Sequence, residues 1–81
     1  MVKELFMLNR EIFAERFKNL RLEKSISQQD IAASLGVDRS IVSHWERGTR
    51  IPSLDIAYAL ADYFDVSLDY LVGRSDDSTY H

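Results

Sequence analysis

Asp38, Arg39, Ser40, Ser43 and His44 crowd a short stretch of the chain, with Arg47, Thr49 and Arg50 just behind them. A carboxylate, a hydroxyl and an imidazole are the makings of a nucleophile with its base, so acyl transfer is the first chemistry to weigh. Ser43 and His44 are adjacent, however, and neighbours on a helix diverge by about 100°. No oxyanion pattern or base-orienting partner accompanies them. The chain has neither a Gly-rich phosphate loop nor an evident pair of carboxylates, so no enzyme is expected. It has no cysteine and only His44 and His81 as imidazoles, so no metal set or cofactor is expected either. What these side chains do share is a dense set of hydrogen-bond donors and acceptors, several of them cationic. That equipment suits the reading of a polar, anionic surface.

The elements that must carry them can be placed by periodicity and caps. Asn9 is an acceptable N-cap, and Ile12, Phe13, Arg16, Phe17, Leu20 and Lys24 follow at helical spacing, which predicts a helix over 10–24. Ser27 before Gln28-Gln29-Asp30 opens a short second helix, with Ile31, Ala32 and Leu35 as its apolar stripe and Gly36 as its stop. Asp38 caps a third, with Val42 and Trp45 facing inward and Gly48 closing it. Pro52 disfavours α geometry at Ile51, which makes residues 49–52 a loop. Ser53 caps a fourth helix whose buried stripe is Ile56, Ala57, Leu60, Ala61 and Phe64. Ser67 caps a last one that ends at Gly73. No stretch alternates polar and apolar residues long enough for a strand. The expected fold is all-α, a five-helix bundle in one domain over 10–73. Residues 1–9 form an N-terminal arm or helix extension and 74–81 a polar C-terminal tail.

Composition sets the outer bounds. A chain of 81 residues buries only about 60–65% of its unfolded surface and cannot fill two cores. With 46% hydrophobic and 28% charged residues, one Pro and three Gly, it has the profile of a folded helical protein. Apolar runs fall far short of the roughly 18–20 residues of a membrane span, and residues 1–9 lack the parts of a signal peptide. A cytoplasmic protein without membrane contact is therefore expected. The net charge of −3 is unevenly spread: residues 1–52 hold nine Lys/Arg against seven Asp/Glu, residues 53–81 one against six. Only the first part has the sign to face phosphate.

The stretch 28–47 carries the strongest signal. Two helices joined by a tight turn cross steeply, which requires a small residue at the crossing, Ala32, and a left-handed one in the turn, Gly36. Ile31, Leu35, Val37, Val42 and Trp45 are all apolar at the positions that point into the shared core. These residues resemble the helix-turn-helix domains of the phage repressor and Cro type, the xenobiotic-response-element family. The resemblance spans about residues 10–73. It extends to Arg21, Ser27-Gln28, Trp45-Glu46-Arg47-Gly48, Pro52, Leu60-Ala61 and Val66-Ser67-Leu68-Asp69-Tyr70-Leu71. Ser25 stands where the family often has glycine.

The resemblance implies a lambda-repressor-like fold, double-stranded DNA as partner and transcriptional regulation as function, with repression favoured. Helix 38–47 would enter the major groove, where Arg39, Ser40, Ser43 and His44 would meet base edges. Arg39 is the foremost of these, since its guanidinium fits guanine O6 and N7 in a bidentate pair. Gln28, at the positive end of the second helix, would take a phosphate. Arg47, Thr49, Arg50, Arg21, Ser27 and Gln29 are further phosphate candidates. The resemblance also implies an ion pair between Arg21 and Glu46. One such domain touches few bases, so a homodimer on a palindromic operator is expected, with half-sites about 34 Å apart. Tyr63, Val66, Leu68, Tyr70, Leu71 and Val72 are candidates for its interface, although they could equally cap the monomer core. Two rival readings keep the same fold. One is an antitoxin or controller-type regulator with a protein partner, suggested by the apolar Val2, Leu5, Phe6 and Leu8. The other is a protein-interaction module that has lost DNA binding, suggested by the acidic total.

Overall fold

Five helices, α1 (Arg10–Glu23), α2 (Gln28–Leu35), α3 (Arg39–Arg47), α4 (Leu54–Phe64) and α5 (Leu68–Leu71), make up the computed structural model, which describes residues 9–79. The expected all-α bundle is therefore found, with helix limits within a residue or two of those read from the caps. The segment suggested as an N-terminal arm lies, but for Asn9, outside the described residues, and so do the four apolar residues that suggested a protein partner. Among the described residues no helix is long and apolar enough to cross a membrane.

Caps start the helices as their residue types require. The Asn9 carboxamide oxygen accepts from the N–H groups of Glu11 and Ile12, both at 3.1 Å. The Oγ atoms of Ser27, Ser53 and Ser67 accept from Asp30, Ile56 and Tyr70 at 2.9, 3.3 and 3.0 Å. Ser27 and Asp30 complete a reciprocal capping box, Asp30 Oδ2 accepting the Ser27 N–H at 3.4 Å. Asp38 is the exception. It holds the extended N-cap geometry of α3, but its side chain makes no cap hydrogen bond and instead accepts the Ser40 hydroxyl on Oδ2 at 3.1 Å. Here the carboxylate takes a rotatable hydroxyl two residues on in place of the N–H groups at the helix end.

All five helices stop in the same way, with the paired backbone bonds of a Schellman motif around one left-handed residue. Gly36, Gly48 and Gly73 take three of those positions, and Ser25 (φ 56°) and Asp65 (φ 59°) the other two. At Ser25 the Ile26 N–H donates to the Arg21 carbonyl at 3.0 Å and the Ser25 N–H to that of Leu22 at 3.1 Å. The left-handed turn is thus made without a glycine, at the cost of a Cβ in that conformation, about 1 kcal/mol. Ser25→Gly is therefore expected to stabilise the protein by about 0.5–1 kcal/mol in urea denaturation. An unchanged or lower midpoint would show that the Ser25 side chain offsets its own strain.

The core lies where α1, α3 and α4 meet, and Ile31 and Ala32 of α2 and Leu71 of α5 seal its ends. Phe17 is its hub: its ring stacks on Phe13 at 5.8 Å and meets Trp45 and Phe64 edge-on at 6.1 and 5.8 Å. Three of the five positions expected to point inward, Ile31, Val42 and Trp45, are fully buried. Leu35 and Val37 are half-buried and packed against the cluster. Ala32 is 1% exposed, so a larger residue at the helix crossing would have to displace its neighbours.

The polar segment after Gly73 lies against the body. Arg16 of α1 donates to the carbonyl oxygens of Tyr70 (2.5 Å) and Ser75 (2.7 Å), pairs with Asp76 at 2.8 Å and covers the Tyr70 ring at 4.1 Å. Ser67 adds bonds from its N–H and Oγ to the carbonyl oxygens of Ser78 and Asp77. These contacts join residues far apart in sequence, which is why composition alone marked the segment only as a polar tail.

Candidate nucleic-acid interface

The buried side of α3 carries Val42 and Trp45, and this decides which side chains the helix can present. Arg39, Ser40, Ser43, His44 and Arg47 follow at spacings of one, three, one and three, a continuous stripe along the opposite face. Arg39, Ser40 and Arg47 are exposed and Ser43 and His44 half-buried. The four residues expected to meet base edges thus share one face, which adjoins the start of α2.

That junction is bridged. Arg39 Nη1 donates to Gln28 Oε1 at 3.2 Å, which links the first turn of α3 to the first turn of α2. The bond orients both partners. It leaves the Gln28 amide N–H groups free to donate outward, and it holds the guanidinium near the helix start instead of letting it sweep through solvent. Asp38 fixes the sense of Ser40 in a similar way. With the Ser40 hydrogen spent on Asp38, its oxygen can only accept from a further partner. Arg47 folds back so that Nε donates to the Ser43 carbonyl at 3.3 Å, with the guanidinium tip still exposed.

Of the phosphate candidates, Ser27, Gln28 and Gln29 stand together at the N-terminus of α2, while Arg47 ends α3 and Thr49 and Arg50 follow just past it. The two groups flank the α3 stripe, as two backbone contacts beside a groove would require. Asp30 in the first turn of α2 satisfies the Ser27 N–H and adds a negative charge, which makes the Gln28 amide the better donor there. Arg21 belongs elsewhere. Its Nε and Nη2 both bond Glu46, the latter to Oε1 at 3.1 Å, and its Nη1 donates to the Ile26 carbonyl at 2.9 Å. The side chains are 14% and 6% exposed, so the pair is an internal strut from α1 to α3. It forms as the resemblance implied, but it turns most of the Arg21 guanidinium inward.

The residues suggested for a dimer interface divide. Leu71 is 0% and Val66 6% exposed: both belong to the monomer's own core, because α5 is too short to cover the end of the bundle without Leu71 and the turn before it brings Val66 inward. Leu68 and Tyr70 are half-buried against that core, Val72 is half-buried and Tyr63 is 39% exposed.

Two features escaped the sequence reading. Leu54 and Tyr58, one turn apart on α4, are 74% and 60% exposed, at the edge of the buried stripe beside Ala57 and Ala61. Their four-residue spacing outside the Ile56–Leu60 stripe was the available signal. Arg16 is the other: a cation on the same helical face as Phe13 and Phe17 must have an internal partner, and the partners come from the far end of the chain.

The chain matches the helix-turn-helix family over residues 17–71. It is 34% identical over 70 residues to the uncharacterized HTH-type transcriptional regulator YqaE of Bacillus subtilis, covering 85% of this chain and 60% of that one. It is 29% identical over 65 residues to the cryptic phage CTXphi transcriptional repressor RstR of Vibrio cholerae, covering 80% and 59%. To the HTH-type transcriptional regulator AnsR of Bacillus subtilis it is 42% identical over 60 residues, covering 74% and 52%. The chain thus aligns with little more than half the length of each of these relatives. No solved structure matches it significantly. With the paired helices α2 and α3, the left-handed turn at Gly36 and these matches in agreement, this chain belongs to the helix-turn-helix family of the phage repressor type.

Proposed function

We propose that this chain binds double-stranded DNA sequence-specifically and regulates transcription, as a repressor, by inserting α3 into the major groove. The observation that carries the proposal is the division of α3: Val42 and Trp45 anchor it from behind while Arg39, Ser40, Ser43 and His44 line its other side. A helix so anchored is rigid, and rigid presentation is what base-edge recognition needs. Arg39 reads guanine and His44 a second base, Ser40 contributes an acceptor, and Ser43 meets the edge or the sugar between them. Gln28, Arg47 and Arg50 hold the backbone on either side, with Ser27 and Gln29 as lesser contacts. Arg39, Arg47 and Arg50, on α3 and just past it, supply the positive charge that meets the phosphates.

Few base pairs fall under one helix of nine residues, so specificity comes from a homodimer on a palindromic operator. Tyr63, Leu68, Tyr70 and Val72 supply the surface left for that contact once Val66 and Leu71 are assigned to the core.

Selection of bound duplexes from a random pool tests the proposal. Recovered palindromes with half-sites about 34 Å apart support it, and absence of enrichment sinks it. With the operator in hand, Arg39→Ala is expected to lose about 1–3 kcal/mol of discrimination at one symmetric position while other positions keep theirs. Equal weakening on every sequence would reduce Arg39 to a phosphate contact.

A further inference from the structure

Thr49 sits one residue past the glycine that ends α3, where sequence reasoning assigned it a phosphate. Its contacts lie elsewhere. Thr49 Oγ1 is 2.7 Å from Nδ1 of His44 and 3.2 Å from the His44 carbonyl oxygen, and the Thr49 N–H donates to that same carbonyl at 3.1 Å. Side chain and backbone together close on the histidine five residues back. A hydroxyl has one hydrogen to give. If it went to the imidazole, the hydroxyl and carbonyl oxygens would face each other with lone pairs only. With it on the carbonyl, every contact becomes a hydrogen bond, and Nδ1 must then be protonated and donate to Thr49 Oγ1. In the neutral ring the other nitrogen, Nε2, is left as a bare acceptor.

We infer that Thr49 is a positioning residue for His44, which locks the ring's rotamer and tautomer so that Nε2 meets DNA as a hydrogen-bond acceptor. The inference rests on α3 lying in the groove as proposed above. In the major groove an acceptor matches the exocyclic amino groups of cytosine (N4) and adenine (N6), and it is repelled by guanine O6 and N7 and by thymine O4. Because Nδ1 is engaged, the ring can make one such bond and not a bidentate pair. Arg39 and His44 therefore ask opposite things of the operator: a base that accepts near the start of α3, and a base that donates more than a turn later. The β-branched threonine suits this task, since its stiff χ1 holds the hydroxyl in place with little entropy to lose.

Two measurements test it. In the free protein, nitrogen-15 shifts of His44 at the alkaline plateau of its titration should show the Nδ1–H tautomer. In Thr49→Val, which keeps the shape and removes the hydroxyl, the ring should revert to the Nε2–H form that free histidine favours. The Nε2–H form in the unmodified protein, or no change in the variant, overturns the lock. In duplex selection, the unmodified protein should prefer cytosine or adenine at one symmetric position, and Thr49→Val should lose about fivefold of that preference, the net worth of one hydrogen bond. Other positions should keep theirs, and Thr49→Ser should behave as the parent. Uniform weakening with all preferences intact would return Thr49 to a phosphate role and overturn the inference. If the tautomer behaves as stated but no duplex is enriched, the groove reading has failed and the base-reading half of the inference fails with it.

Discussion

Glu46→Ala is expected to cost about 3–5 kcal/mol of stability, because it strands the Arg21 guanidinium between α1 and α3 with no counter-charge. The carboxylate is 6% and the guanidinium 14% exposed, so water can replace little of what is lost. A buried cation without its partner bears the full desolvation cost, whereas the intact pair yields only the difference between attraction and desolvation. The same reasoning predicts that Arg21→Met combined with Glu46→Leu recovers much of the loss, since that exchange removes both charges and keeps the volume. Urea denaturation of the two variants checks both statements. A Glu46→Ala midpoint equal to the parent's would mean that Arg21 finds other company and that the strut carries no weight. DNA affinity should fall along with stability, since the strut sets the seat of α3 against α1.

Phe17→Ala should be comparably damaging, at about 3–5 kcal/mol, for an entirely apolar reason. Phe17 is 0% exposed and its ring contacts Phe13, Trp45 and Phe64, so truncation opens a void where α1, α3 and α4 meet. Each aromatic contact is worth about 0.5–1.5 kcal/mol beyond the area it buries. A domain of this size has only about 5–15 kcal/mol to lose, so the variant gives up a large share of its stability and its thermal midpoint should fall by about 12 °C or more. Phe17→Leu, which refills most of the volume, should melt between the two. A thermal midpoint for Phe17→Ala within a few degrees of the parent would show that the core collapses around the gap.

The two cases bear on the interface through the same link. Glu46 and Trp45 are neighbours on α3, one tied to α1 by charge and the other by ring contact. The reading face can stay stiff because its back is fastened at consecutive residues by unlike forces. Raising salt should weaken DNA binding steeply through the exposed phosphate contacts, and should leave the buried strut nearly untouched.

Much of this protein was legible in its residues before any coordinates. Caps at Asn9, Ser27, Ser53 and Ser67 and stops at Gly36, Gly48 and Gly73 are local signals. Each acts within a few residues of chain, so sequence alone carries it. The inward stripe of α3 follows from helical spacing, and so does the company of Arg39, Ser40, Ser43 and His44 on the opposite side.

What only the tertiary structure decided was the occupancy of individual polar atoms. Nothing in the spacing says that Asp38 takes the Ser40 hydroxyl rather than the helix end, that Arg39 leans on Gln28, or that Thr49 holds His44. The same holds for Arg16 reaching the far end of the chain, and for Val66 and Leu71 turning into the core instead of toward a partner. A helix cap competes with few alternatives, whereas a rotating hydroxyl or guanidinium chooses among several partners of similar energy. That choice is settled by which groups the packed fold brings within about 3 Å.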